Sequence, residues 1–377
     1  MIFTIDRDTL LDNLIIMQKA LPIRTSLPIL TNIKFDVRED HIILTSNNTD
    51  IAIQVIIEKD NLNINKPGSV VIAGKYLIDI VRKVNSKNIE FSLVEDRLII
   101  IKADRSEFKL RLMDVLDYPE VDFSTSQTKP LTIDTELLKT IIKETSYAAA
   151  QSEKRPILTG VNFNYYDNFL EVVATNSYRL AKKELKLRSE IENFNVVIPS
   201  KSLDELSKIL DVTNEEAQIF VSSNKVLFKI SNILFQTNLL EGTYPNTSRI
   251  IPSDFPVVIP FNRDQLILAV ERVSLLSPRD KDTNYNIIKF KLNIDHSVEI
   301  ISNNQEIGDA NEIILASGDV KGNVLNIAFS SRHLIDALKT FNTSEVIINF
   351  AGEVKPFIVK SNEDETLLHL ILPVRID

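Results

Sequence analysis

The sequence predicts three tandem domains of one α+β fold. Three observations carry this. One pattern recurs along the chain every 128 residues, from Thr4 to Thr132 and beyond. Apolar residues at helical spacing are interleaved with β-branched runs of period two. And 377 residues are too many for one ordinary core but suit two or three domains of roughly 100–150 residues each.

The repeat organises everything else. Phe3-Thr4-Ile5-Asp6 is followed by Leu10-Leu11, and Leu131-Thr132-Ile133-Asp134 by Leu137-Leu138. A third, weaker copy starts near Ile259, where Leu266 stands at twice the interval from Leu10. Ser26-Leu27-Pro28-Ile29-Leu30-Thr31 is echoed by Arg155-Pro156-Ile157-Leu158-Thr159-Gly160. Val70-Val71-Ile72-Ala73 with Leu77-Ile78-Asp79 is matched by Val196-Val197-Ile198-Pro199 with Leu203-Asp204-Glu205, and by Leu325-Asn326-Ile327 with Leu334-Ile335-Asp336. Each unit therefore holds two half-units: a short strand, a helix, then several strands. Leu138, Ile141 and Ile142, and again Leu203, Leu206, Ile209 and Leu210, have helical spacing, and Asp134 and Ser202 read as helix starts. Ile89–Leu93 and Arg97–Ile101 read as strands, with Lys66-Pro67-Gly68 and the 241–245 segment as turns. Helices are expected over 8–20, 75–84, 134–147, 201–210, 263–273 and 332–340. The domains fall near 1–127, 128–254 and 255–377, with Ser124-Thr125-Ser126-Gln127 and Pro252-Ser253-Asp254-Phe255-Pro256 as linkers.

Composition narrows the function classes. The hydrophobic fraction of 44% and charged fraction of 25% are those of a soluble globular protein. No run of eighteen apolar residues offers a membrane span. The Met1–Asp6 start reads as a strand rather than a secretory signal. With no cysteine, disulfides, thiolate metal sites and thiol nucleophiles are excluded, and the cytoplasm is the expected compartment. A net charge of −9 argues by itself against a nucleic-acid partner. The charge is unevenly placed, however: the six helix windows hold 12 Lys or Arg against 11 Asp or Glu, so the acidic excess lies elsewhere. Basic groups on helices fit sequence-independent, salt-sensitive contact with phosphates; plain solvated faces explain them as well.

Catalytic constellations are missing. His41, His296, His333 and His369 lie far apart with no metal-ligand spacing and read as solvated or core residues. The Gly68–Tyr76 segment is similar to a P-loop, but five residues separate its glycines and Tyr76 stands where a Mg²⁺-binding hydroxyl belongs; it reads as a buried strand. Only 8 glycines occur, too few for phosphate-cradling loops. Carboxylate pairs such as Asp204-Glu205 sit on a helix face and solvate it. No cofactor or metal is expected, and the protein is read as a binding protein rather than an enzyme. An enzyme of nucleotide or DNA metabolism would need a polar site that the sequence does not offer. An acidic peptide-binding scaffold without DNA loading stays open as an alternative.

Ser26-Leu27-Pro28-Ile29-Leu30, the Val173–Leu180 segment, the Leu239–Pro245 segment and Leu372-Pro373-Val374-Arg375 strongly resemble the bacterial β sliding clamps of DNA polymerase III, and the likeness runs the length of the chain. The resemblance implies the DNA-clamp fold: helices lining the interior of a ring, sheets on its outside. It implies a processivity factor that encircles duplex DNA as a head-to-tail homodimer and tethers the polymerase. Phe108, Leu110, Leu275 and Leu276 would form the contact between copies, with Glu306, Asp309 and Glu312 meeting basic groups such as Lys75 and Arg105. On residues alone, Phe108 and Leu110 fit a core equally well. Contacts to DNA would come from Arg24, Lys75, Arg82, Gln151 and Lys201, each of which also reads as an ordinary surface residue.

A peptide pocket between the second and third domains would be walled by Arg155, Leu158, Thr175, Ser177, Tyr178, Arg179, Leu180, Pro245, Ile250, Val354, Pro356, Leu370, Leu372, Pro373, Val374 and Arg375. Its implied partners are the replicative polymerase alpha subunit, the clamp-loader delta subunit and other proteins with clamp-binding motifs. An apolar cleft with a few polar groups suits the anchor residues of a short extended peptide. Leu370 and Leu372 alternate on a last strand and so share a face; without the resemblance they read as core. The chain departs from the family pattern at Ser177 and Tyr178, where Gly and His are usual, and at Pro156, where a DNA-contacting aromatic in some members is not carried over. Ile376 and Asp377 extend past the usual end.

Overall fold

The computed structural model describes residues 1–95, 97–125, 129–152, 154–210, 215–278 and 286–375. Ser126 and Gln127 of the first expected linker, and Ile376 and Asp377, lie outside the described residues.

The first repeat runs β1 (Ile2–Asp6), α1 (Arg7–Met17), β2 (Asn32–Val37), β3 (His41–Asn47), β4 (Ile51–Glu58), β5 (Leu62–Lys66), β6 (Gly68–Ala73), α2 (Gly74–Lys83), β7 (Asn88–Glu95), β8 (Leu98–Ala103) and β9 (Ser106–Arg111). The second runs β10 (Leu131–Asp134), α3 (Thr135–Thr145), β11 (Gly160–Tyr166), β12 (Phe169–Thr175), β13 (Arg179–Lys186), β14 (Phe194–Pro199), α4 (Ser200–Leu210), β15 (Glu216–Val221), β16 (Lys225–Ile230) and β17 (Ile233–Asn238). The third runs β18 (Val257–Asn262), α5 (Arg263–Ser274), β19 (Ile287–Leu292), β20 (Ser297–Asn304), β21 (Gly308–Leu315), β22 (Leu325–Ser330), α6 (Ser331–Leu338), β23 (Glu345–Phe350), β24 (Phe357–Lys360) and β25 (Leu367–Ile371). Strand, helix and three strands occur twice per repeat, with β5 as an extra piece.

The first helix of each repeat starts where a short polar side chain accepts from an orphan N–H group. Asp6 accepts from the Thr9 N–H at 2.9 Å, Asp134 from Leu137 at 3.0 Å and Asn262 from Gln265 at 3.0 Å. These caps lie at the same interval of 128 residues, which places the weak third copy in register. Ser202 is not a cap: α4 begins at Ser200 and Ser202 is buried in its first turn. Gly68–Tyr76 is strand then helix, as the packing reading required. A Cβ on Gly74 would lie 2.5 Å from Leu21 Cδ1 and 3.3 Å from the Thr31 carbonyl, so the glycine serves close packing rather than phosphate.

By contact density the chain forms two units that divide the second repeat between them. The first holds a five-stranded sheet, β5-β1-β7-β8-β9, and an eight-stranded one, β10-β15-β16-β17-β4-β3-β2-β6. The second holds an eight-stranded sheet, β14-β11-β12-β13-β25-β24-β23-β18, and a four-stranded one, β21-β20-β19-β22. Each eight-stranded sheet is two four-stranded halves from different repeats, sewn antiparallel along β17·β4 and along β13·β25. Repeats are thus joined by backbone ladders as well as by linkers. Helix α1 packs on α2 in the first unit and α5 on α6 in the second. Beneath α5 and α6 the third-repeat core is aromatic: Phe290 meets Phe261, Phe329 and Phe350 at centroid distances of 5.7–6.0 Å, spacing at which ring pairs add to plain burial.

Candidate peptide-binding cleft

In the second unit the seam between β13 and β25 brings together several residues of the expected pocket. Leu180 pairs with Leu370 across the seam, and Thr175 of β12 pairs with Leu180. Val173, Leu180, Ile358 and Leu370 form a buried apolar cluster, with Tyr244, Ile251, Phe255, Leu368 and Leu372 packed against it. Strand alternation separates two apolar clusters. Leu367 and Ile371 join the third-repeat core, whereas Leu368, Leu370 and Leu372 turn to the candidate cleft. The expectation that Leu370 and Leu372 are same-faced holds, although β25 ends at Ile371; the Leu372 N–H donates to the Tyr178 carbonyl at 2.9 Å.

The loop before β13 is built by hydrogen bonds. Asn176 Oδ1 accepts from the Tyr178 and Arg179 N–H groups at 2.9 and 3.0 Å, and Thr175 Oγ1 donates to the Arg179 carbonyl at 2.6 Å. Ser177 adopts φ +76°, the left-handed region where a non-glycine residue costs on the order of 1–2 kcal/mol. Glycine, which the resemblance implies for this position, would avoid that cost; Ser177 carries it because the flanking bonds hold the turn. Ser177 and Tyr178 are exposed. Leu158 is buried, Arg155, Pro245, Ile250, Val354 and Arg375 are exposed, and Pro356, Leu372, Pro373 and Val374 are half-buried. Pro373 bridges to Phe329, and the Val374 N–H donates to the Ala328 carbonyl at 2.7 Å.

Behind the cluster the joint is polar. Arg179 donates to Asp336 at 2.6 Å and to the Tyr147 carbonyl, with its guanidinium 4.9 Å from the Tyr147 ring centroid. Tyr147 Oη bonds His369 Nδ1 at 2.8 Å, and Thr340 Oγ1 bonds its Nε2 at 2.7 Å. Burial, then the nearby Arg179 and Lys183 charges, depress the His369 pKa to about 3, so the ring is neutral and serves as a bridge. Lys183 is clamped by Glu144 at 2.9 Å and Asp364 at 2.7 Å. Paired, partly buried groups of this kind fix geometry more than they add stability, and here they tie β13 to β25 and α6.

The other expected site residues are spread over both units. Phe108 and Leu110, both half-buried on edge strand β9, line a cavity of ≈ 990 Å³ with Tyr76, Asp79, Ile80 and Arg105. Leu275 is 80% exposed just past α5, and Leu276 is half-buried. Glu306 and Asp309 are exposed, while Glu312 of β21 is paired to Arg272 of its own chain at 3.0 Å. Arg24, Lys75, Arg82, Gln151 and Lys201 are all exposed: Lys75 and Arg82 on α2, Lys201 on α4, Arg24 and Gln151 in the loops before the matching turns Pro28–Thr31 and Pro156–Thr159. Among the described residues no group of His, Asp and Glu could hold a metal ion, and no helix is long and apolar enough to cross a membrane.

Val173, Tyr244, Ile251, Phe255, Ile358 and Leu368 belong to the cleft but were not foreseen. Leu368 was within reach of the alternation that gave Leu370 and Leu372. Phe255 lay in a segment read as linker; it and Ile251 instead pack against the cleft.

Comparison with known proteins agrees with this arrangement. Sequence models of the N-terminal, central and C-terminal domains of the DNA polymerase III beta subunit match residues 1–122, 132–246 and 248–375. Beta sliding clamps of Staphylococcus epidermidis and Staphylococcus aureus are 40% and 39% identical, with 99% of each chain covered. The crystal structure of the DNA polymerase sliding clamp from Bacillus subtilis superposes with a TM-score of 0.94 at 38% identity, covering 100% of both chains. A sliding clamp from Pseudomonas aeruginosa bound to griselimycin gives 0.92 at 25% identity, again over 100% of both. On the three domain matches and these full-length relatives, the chain belongs to the DNA polymerase III beta subunit family, the beta sliding clamps of DNA replication.

Proposed function

We propose that this clamp closes around duplex DNA as a ring of two copies joined head to tail. The pattern of sheet edges carries the proposal. By position in the repeat, β9 corresponds to β17 and β25, and β21 to β4 and β13. The corresponding strands are sewn together in both eight-stranded sheets, while β9 and β21 are the outer edges of the two smaller ones. An unpaired edge is a template for another chain. A second copy supplies β21 to β9 and completes a third seam of the same kind, and such a heterologous contact closes when its rotation brings the ends together.

The repeat also gives the register. In the first seam Phe235 lies opposite Ile53 and Gln236 opposite Ala52. Matching the hairpin turns puts Phe108 at the Phe235 position, and Ala310 and Asp309 at those of Ile53 and Ala52. Phe108 then faces Ala310 of the second copy, and Lys109 faces Asp309. Burial agrees: Phe108 and Ala310 are half-buried, Lys109 and Asp309 exposed, as directly opposite residues on one face require. A slip of one residue would turn Phe108 outward. Tyr147, which packs against the third-repeat core, stands 128 residues before Leu275, so Leu275 of one copy fits the cavity beside Phe108 in the other.

Arg24, Lys75, Arg82, Gln151 and Lys201 would touch phosphates weakly and without base readout, so that topology rather than affinity keeps the clamp on DNA. The cleft would seat short extended segments of the polymerase alpha subunit, the loader delta subunit and other clamp-binding-motif proteins. The clamp itself performs no chemistry. The domain bounds near 127/128 and 254/255 belong to the same reading.

The absence of cysteine makes the seam testable by disulfide trapping. A chain carrying Lys109→Cys and Asp309→Cys should form covalent dimers on mild oxidation, since directly opposite Cβ atoms lie about 4.5–5.5 Å apart. A chain carrying Lys109→Cys and Ile313→Cys, about 13 Å out of register, should not. Equal cross-linking by both pairs, or none by the first, contradicts the register.

A further inference from the structure

The cleft does not end at its apolar cluster. A second, polar cavity of ≈ 470 Å³ adjoins it, lined by Asn162, Asn164, Glu171, Lys182 and Asn195 with the Tyr244–Ser248 segment above. Val173 and Tyr244 belong to both. The two lie on one face of one sheet: Asn162 pairs with Val173, Val173 with Lys182 and Lys182 with Leu368, and directly opposite residues share a face. Lys182 is two residues beyond Leu180, about 7 Å along the strand. An extended peptide covers that distance in two or three residues.

The charged wall of this cavity is unbalanced once its neighbour is counted. Glu171 and Lys182 line it, and Lys182 is shared by Glu171 at 2.6 Å and, from outside the lining, by Glu184 at 2.9 Å, so two carboxylates meet one ammonium. Beside them Asn162 Nδ2 donates to Asn195 Oδ1 at 2.6 Å and to the Val196 carbonyl at 3.2 Å, and Asn195 is exposed. An acceptor-bearing cavity whose one lining ammonium is outnumbered by the carboxylates around it, next to an apolar cleft, suits a cation.

We infer that this cavity is a second subsite for the partner segment, taking an Arg or Lys side chain that flanks the apolar anchors. The inference rests on the cleft reading above. The subsite sets preference among partners: the anchors supply affinity, and the flanking charge ranks segments whose anchors are alike.

The test uses the full-length protein and labelled peptides spanning the polymerase alpha subunit's clamp-binding motif. The peptides are extended on either flank by three residues containing either Arg or Glu, and binding is followed by fluorescence anisotropy. For one flank the Arg peptide should bind about fivefold more tightly at low ionic strength, the ratio falling toward one in high salt. Glu171→Gln, which keeps an acceptor for Lys182 but removes a charge, should bring the ratio near one without weakening the unextended peptide. Asn195→Asp, which keeps the oxygen that Asn162 uses, should raise it. Equal binding of Arg and Glu peptides on both flanks overturns the subsite, as does a preference that neither substitution moves. Failure of every peptide to bind wild-type protein overturns the cleft reading, and the subsite with it.

Discussion

Replacing Leu372 by Asp is expected to weaken binding of a polymerase-derived clamp-binding peptide by at least about 100-fold, within the range of a central anchor position, while leaving folding intact. Leu372 is half-buried at the edge of the apolar cluster, so in the free protein its side chain can turn to water. Only the bound peptide would trap the new carboxylate in an apolar surrounding, where an unpaired charge is costly. Its N–H bond to the Tyr178 carbonyl uses backbone alone and survives the change. Leu180 is the poorer probe. It is 1% exposed among Val173, Ile358 and Leu370, so Leu180→Asp would disturb folding as well as binding. Anisotropy titration beside a thermal melt reads both quantities. Unchanged peptide affinity in the folded Leu372→Asp variant would remove the cleft assignment.

On the proposed two-copy ring, Leu275→Asp is expected to leave the protein monomeric at micromolar concentration. The side chain is 80% exposed in one copy, so the fold has no need of it. In the ring it would enter the cavity lined by Asp79, Asp104 and Phe108. The substitution then replaces apolar burial of about 1.5–3 kcal/mol with a carboxylate that must give up its hydration. The loss occurs at both interfaces of the ring. Light scattering after size exclusion should fall from twice the chain mass of 42.8 kDa to the chain mass. A dimer that persists on dilution would place Leu275 outside the contact.

Much of the fold was legible because it is local and repeated. The six α-helices of the described residues were placed within two residues at each start, and the caps Asp6, Asp134 and Asn262 follow from short-range chemistry that a sequence displays. The seams were not legible. Pairing of β17 with β4, or of β13 with β25, joins residues more than 170 positions apart, and nothing in either strand's alternation names its partner or register. The cleft was legible in part. Leu370 and Leu372 show their shared face through alternation, but Tyr244, Ile251 and Phe255 lie in irregular chain with no period to read, and their burial is decided by the sheet beneath. Arg179 was placed at the pocket through family likeness. Its bonds to Asp336 and Tyr147 could be known only once three distant segments were assembled. The acidic scaffold without DNA loading, open on sequence, is not favoured once the full-length relatives are in view.

The central claim is that closure around DNA, rather than affinity for it, holds the clamp in place. The direct measurement is the lifetime of loaded clamp on nicked circular DNA before and after the circle is cut once, at a salt concentration that suppresses phosphate contacts. The account predicts retention for many minutes on the circle and loss within seconds of linearisation as the ring slides off the ends. Equal lifetimes on circular and linear DNA would contradict it, since the protein would then be held by contacts and not by topology.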